Sequence, residues 1–169
     1  MTLSTHAVVG AAIVCIIPEH PILGFSLAFA SHFLLDAIPH WDYKLKSMVE
    51  DHDNRLNNDM IINKDFFIDL ARIFIDALLG LVLVTIFFIM NGPHLFWLPI
   101  VGVVGALLPD ALQFIYFKWK HQPLVGLQRF HLWIHSQTDF NDRPLVGIAF
   151  QVVIIIVALV VFRFGLRSW

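Results

Sequence analysis

The sequence predicts an all-α fold, a polytopic membrane helix bundle of four to five transmembrane segments with one short interfacial helix. Three observations carry that prediction. Of 169 residues, 58% are hydrophobic and only 14% are charged, against about a quarter charged in soluble domains. The apolar residues gather into runs that approach the ~20 residues needed to span a hydrocarbon core. The 16 Phe and 5 Trp fall largely toward the ends of those runs, where lipid-facing and interfacial aromatics sit.

Taken in order, the apolar segments cover 3–17, 22–38, 70–90, 93–117 and 145–164 of one membrane domain spanning 1–169. The first is short, and fits either a tilted span or a half-helix buried among its neighbours. Its flanks lack the basic n-region of a signal peptide and any lipidation pattern, so it is expected to stay in the mature chain. Pro18-Glu19-His20-Pro21 separates it from the second segment, and Asn91-Gly92-Pro93 makes a tight turn between the third and fourth. The pattern reads as two helical hairpins followed by a lone closing helix.

Two polar loops remain, 39–69 and 118–144, and in a five-span topology both lie on the side of the N-terminus. They and the adjoining first turn of the third segment hold Lys44, Lys46, Arg55, Lys64, Arg72, Lys118, Lys120, Arg129 and Arg143, leaving only Arg163 and Arg167 opposite. The positive-inside rule makes that side cytoplasmic. The first loop also carries Glu50, Asp51, Asp53, Asp59 and Asp65 and reads as a solvated excursion. In the second, Leu124, Leu127, Phe130, Trp133 and Ile134 recur at helical spacing over 123–137, which fits a helix lying in the membrane interface. A net charge of −2 argues against nucleic acid as a partner and leaves membrane lipids. The single Cys15 excludes an intrachain disulfide.

Ionisable groups inside apolar segments are costly, and their default reading is a functional site. His32, Asp36 and His40 step by four, with Pro39 set to end the helix at Ile38. An imidazole and a carboxylate one turn apart make half of a divalent-metal site; the plainer reading is a His–Asp hydrogen bond at a helix end. Pro109 before Asp110 predicts a broken or kinked helix with Asp110 at the break. Asp76 lies one turn from Arg72, so a local ion pair competes with a site role. His131 and His135 show the two-imidazole spacing of helical zinc sites, without an adjacent Glu. His6 opens the first segment after Ser4 and Thr5. Singly, each has a bland reading. In the five-span topology all of them fall on one side, with Asp36, Asp76 and Asp110 within ~10 Å of their helix ends. His20, His52, His94 and His121 lack such partners and read as loop or interfacial residues.

These pieces resemble a prokaryotic membrane family, the YdjM-like inner-membrane metal-dependent hydrolases. The likeness rests on Thr5-His6 with Gly10, on Ser31-His32-x3-Asp36, on Gly105-Ala106-Leu107-Leu108-Pro109-Asp110, and on His131 to Ser136. Where members often show Pro-Asp-x-Asp-His, this chain has Pro109-Asp110-Ala111-Leu112-Gln113; their Arg-Gly-x-x-His-Ser becomes Leu132-Trp133-Ile134-His135-Ser136. His32-x3-Asp36 with Pro39 and His40 is also similar to the His-x3-Asp…Pro-x-His signature of zinc-dependent phospholipases C, two residues shorter after the Asp. The resemblance implies a multi-pass protein of the prokaryotic inner (cytoplasmic) membrane.

The expected function is therefore metal-dependent hydrolysis at the cytoplasmic membrane interface, on a phospholipid-like ester or phosphodiester. His32, Asp36, Asp110 and His135 are the first candidate ligands, with His6, His40 and His131 beside them. A mixed His and carboxylate shell suits Zn²⁺, or Mn²⁺ or Fe²⁺ if carboxylates dominate. Asp42 or Asp76 would serve as general base or as an orienting partner, and Arg72, Lys44 and Arg129 would hold a phosphate. Two rivals stand beside this: an ion or proton transporter, and a non-catalytic scaffold pinned by the same cluster. Transport needs polar residues continuing to the far face, where the third and fifth segments offer only Thr85 and Gln151.

Overall fold

The computed structural model describes residues 1–91 and 96–167; Gly92, Pro93 and His94, which the sequence places in a turn, lie outside the described residues. The chain is mostly helical: α1 (Leu3–Ile16), α2 (Pro21–Asp36), α3 (Lys64–Asn91), α4 (Trp97–Lys118), α5 (Leu124–Ile134) and α6 (Pro144–Arg167). The all-α expectation needs one amendment. The first loop contains a two-stranded antiparallel ribbon, β1 (Met48–Val49) with β2 (Asp59–Met60), closed by a 3-10 turn at Arg55–Asn57.

Helix ends follow local chemistry. Pro21 stands at the first position of α2, where its missing N–H costs nothing. α3 begins six residues before the purely apolar run because the Asn63 side chain accepts the Phe66 amide (3.0 Å), and Asp65 follows in the first turn. α4 runs unbroken through Pro109, against the expected break. Proline forfeits one backbone hydrogen bond, and the buried side of α4 is held by both α1 and α2.

α3, α4 and α6 are long and apolar enough to cross a membrane. α1 and α2, at 14 and 16 residues, are shorter, about 21 and 24 Å against a hydrocarbon core of about 30 Å. Of the two readings of the first segment, α1 takes the second, since it is buried against α2, α3, α4 and α6. Its approach to α4 is backbone on backbone: a Cβ on Gly102 would lie 2.3 Å from the Gly10 carbonyl oxygen, and one on Gly10 2.4 Å from that of Gly102. Ala7, Val8, Ala11, Val14 and Cys15 of α1 join Val84, Phe88, Leu98 and Phe162 in an apolar core.

Large apolar side chains such as Phe67, Phe74, Ile75, Ile89 and Val153 point outward, while Thr5, His6, His32, Asp36 and Gln151 are buried. That inverts the arrangement of a water-soluble protein. α5 exposes Trp133 (76%) and buries Gln128 and His131, as a helix lying on the bundle end would. The two polar loops pack together at one end of the helices. Lys118 Nζ pairs with Asp59 (2.7 Å), Tyr116 donates to the Leu56 carbonyl (2.7 Å), and the Phe140 amide donates to the His40 carbonyl (3.0 Å).

Candidate metal centre

The site forms where the polar ends of α1, α2 and α4 meet beneath the loops. Asp36 ends α2, one turn after His32, so both side chains share a face. Past Pro39 the chain leaves without regular secondary structure, and His40 forms an isolated parallel bridge with Asp139; the Ser136 amide donates to the Asp36 carbonyl (2.8 Å). These contacts bring His131 and His135 from the second loop onto the end of α2. Gly105 lets α2 approach α4 closely, since a Cβ there would meet the Phe25 carbonyl oxygen at 2.9 Å. Asp110, a turn and a half further along α4, thereby reaches His32 Nε2 at 3.4 Å.

Asp36 is the hub. Its Oδ1 lies 3.2 Å from His6 Nε2, and its Oδ2 lies 3.2 Å from His32 Nε2 and 3.1 Å from His131 Nε2. The His6 and His32 rings stack with centroids 4.1 Å apart. All seven residues expected as ligands converge in three overlapping groups: His6, His32 and Asp36; His32, Asp110 and His131; Asp36, His40 and His135. Within each group, one donor atom per residue lies within 4.8 Å of the others. The i,i+4 pair His131 and His135 thus divides between two groups rather than sharing one, with rings 6.1 Å apart.

Direction divides the cluster: His131 Nε2 and the Met1 ammonium hydrogen-bond Asp36 (3.1 and 3.0 Å), whereas His6 and His32 do not. Distance pairs His6 Nε2 and His32 Nε2 with Asp36, yet neither meets hydrogen-bond geometry, and both are fully buried without a partner among the described residues. A buried polar group left so is costly. Meanwhile the other nitrogen of three imidazoles is fixed: Nδ1 of His32, His40 and His135 faces the carbonyls of Ala106 (2.9 Å), Ile38 (2.8 Å) and Ser136 (3.1 Å). A carbonyl only accepts, so each Nδ1 carries a proton, and wherever the ring is neutral Nε2 keeps its lone pair. That is how metal-binding histidines are oriented in general. Two ligands each ~2.1 Å from one ion are at most ~4.2 Å apart, and the pairs at 3.2 to 3.4 Å satisfy this. The residues fit a divalent metal.

The loop groups are tuned by burial. Burial, then the nearby Met1 ammonium, pushes His40 down to about 4; burial also lowers His135. Both are neutral imidazoles near neutral pH, the form that binds metal. Asp42 is reachable (46% exposed) but faces a protein-walled recess, and that desolvation pushes its carboxyl up to about 6. The Met1 ammonium lies 3.0 Å from Asp36 Oδ1 and 3.8 Å from Asp42 Oδ2, a place suited to positive charge.

The cluster borders a cavity of ≈ 940 Å³ whose lining includes Asp36, Asp42, Asp110, His131 and His135 together with Lys44, Arg55 and Arg72, and the acidic Glu50 and Asp51. Lys44 and Arg72, expected to hold a phosphate, both line this cavity. Arg129 is exposed on α5 and does not line the cavity. Arg72 pairs with Asp69 (3.4 Å), not with Asp76. Asp76 accepts the Leu3 and Ser4 amides (2.6 and 3.2 Å) and so caps α1 from another helix, an orienting position one turn before His6. Sequence reasoning missed Gln128, which is buried, accepts from Gln113 (3.3 Å) and lines the cavity; its i,i+3 spacing to His131 was the available signal. His52, read as a plain loop residue, also lines the wall. Gln151 of α6 is buried, donating to the Trp41 carbonyl (2.7 Å) and accepting from Thr2 and Thr5. Compared with protein-family models, curated proteins and solved structures, the chain matches none of them.

Proposed function

We propose that this protein is a multi-pass, metal-dependent hydrolase of the prokaryotic inner membrane, with its site at the cytoplasmic face, related to the YdjM-like family whose motifs it resembles. In this reading α1/α2 and α3/α4 are two hairpins and α6 closes the bundle, with α1 and α2 entering from the site side. The observation that carries the reading is the convergence of buried, undirected Nε2 atoms of His6 and His32 on Asp36, with Nδ1 of His32 anchored to a carbonyl. A merely structural cluster gains from satisfied hydrogen bonds, whereas a metal site gains from lone pairs left free.

Seven donors exceed the four-coordinate shell of one Zn²⁺, so the cluster is proposed to hold two ions, and Asp36, common to two of the three groups, would be the residue they share. Bound metal would lower the pKa of a coordinated water toward 7 and polarise the substrate oxygen. Asp42, on the cavity wall beside the cluster, is the proposed general base. Asp76 holds α1, and with it His6, in register. Lys44 and Arg72 meet the negative charge of a phosphoester. Transport is the weaker reading, because the half of α1 beyond His6 packs in an apolar core.

The test is turnover of bis(p-nitrophenyl) phosphate by detergent-purified protein. Chelator should abolish it, and Zn²⁺ or Mn²⁺ should restore it. His32→Ala and Asp36→Ala should lose more than the 10–100-fold typical of removing an outer partner. Turnover that is absent, or indifferent to chelator, would refute the reading.

A further inference from the structure

Beside the polar cavity lies a second one of ≈ 350 Å³ with a different lining. Leu70 and Ile73 of α3 face Leu107, Ala111 and Phe114 of α4 across it. Asp42, Tyr43, Asp110, Gln113 and Phe117 are among the residues that line both cavities, so the two adjoin at the carboxylates. Both walls belong to helices long and apolar enough to cross a membrane. Leu70 and Phe114 line the cleft and are 43% and 37% exposed, so its apolar wall is not sealed within the core. Ala111 is small and exposed, and its missing bulk leaves the gap.

We propose that this cleft receives the hydrocarbon chain of a single-chain lipid phosphate, whose head lies in the larger cavity between Lys44, Arg72 and the His/Asp cluster. The proposal rests on the hydrolase reading of that cluster and names its substrate class. A water-soluble substrate has no use for an apolar arm opening off a charged site. The dimensions select one chain. Leu107 to Phe117 runs about 15 Å along α4, and a methylene occupies roughly the ~30 Å³ of a water, so about a dozen methylenes fill the cleft. Two chains would need twice the space. A chain already in a bilayer gains little free energy by moving into protein, so the cleft's contribution is alignment: it sets the head at Asp110 and Asp36, in the cavity that Lys44 and Arg72 also line.

The experiment uses lysophosphatidic acid carrying a diazirine at the end of its chain. The probe is photolysed on the metal-loaded protein in mild detergent, and adducts are mapped by mass spectrometry. Adducts should concentrate on 70–74 and 107–114, fall about tenfold in Ala111→Trp, and be suppressed in wild type by excess unlabelled lysophosphatidic acid but not by glycerol 3-phosphate. The competition arm stands even if Ala111→Trp fails to fold. Adducts spread equally over the outward face of α6 at Val153 and Val157, or competition by glycerol 3-phosphate, would overturn the proposal. Turnover of bis(p-nitrophenyl) phosphate, which has no chain to place, scores the hydrolase reading separately. If that turnover persists without cleft adducts, the lipid proposal falls alone.

Discussion

Replacing Gly102 with alanine tests whether the crossing of α1 and α4 sets the geometry of the cluster. The new Cβ would lie 2.3 Å from the Gly10 carbonyl oxygen, 2.6 Å from its carbon and 2.7 Å from Ala11 Cα. All three are backbone atoms, so no side chain can rotate away. Ordinary contact begins at 3.4 Å, so the two helices must part by about 1 Å. Overpacking of this kind costs about 1–3 kcal/mol, offset by up to about 1 kcal/mol for replacing a helical glycine. The net expectation is a loss of about 1–2 kcal/mol, a factor of roughly 5–30 in the folded ratio. The consequence reaches the site, because His6 stands on α1 and Asp110 on α4, and a metal tolerates displacements of only about 0.2 Å. Denaturation in detergent, with metal affinity read on the same samples, is the assay. Gly126→Ala is the control, since its Cβ would meet only the Gln122 side chain at 3.4 Å. Stability and metal affinity of Gly102→Ala within error of wild type would refute the reasoning.

Three further outcomes are expected. Asp76→Ala removes the acceptor for the Leu3 and Ser4 amides and should cost about 0.5–2 kcal/mol, read as a lowered unfolding midpoint. Gln151→Leu strands the Trp41 carbonyl and the Thr2 amide, and should cost about 1–3 kcal/mol in the same assay. Cys15 is fully buried in the α1 core, so a maleimide should label it only after unfolding; rapid labelling of the folded protein would contradict the packing of α1.

The cluster was legible because ionisable residues in apolar segments are expensive, and although His6, His32, Asp36 and Asp110 each have a bland reading singly, a five-span topology puts them all on one side. Their convergence followed from a hairpin topology that the spacing of polar loops already implied. What the sequence concealed depends on tertiary contact. Asp76 reads locally as a partner for Arg72, but Arg72 turns to Asp69 and frees Asp76 to cap a different helix. Pro109 reads as a break, but packing of α4 against α1 and α2 carries the helix through it. Arg129 carries the right charge, and only the orientation of α5 shows that it points away from the cavity. The length of α1 looked like a marginal span, while its glycine-mediated burial is a property of four neighbouring helices.

Metal content tests the central claim most directly. Protein purified in mild detergent without a His tag should carry close to two transition-metal ions per chain, and Asp36→Ala should lose both, since its carboxylate is shared. His135→Ala should lose at least the ion held near His40. Wild-type protein that stays empty after Zn²⁺, Mn²⁺ and Fe²⁺ are offered would contradict the account, and the buried histidines would then be a structural cluster.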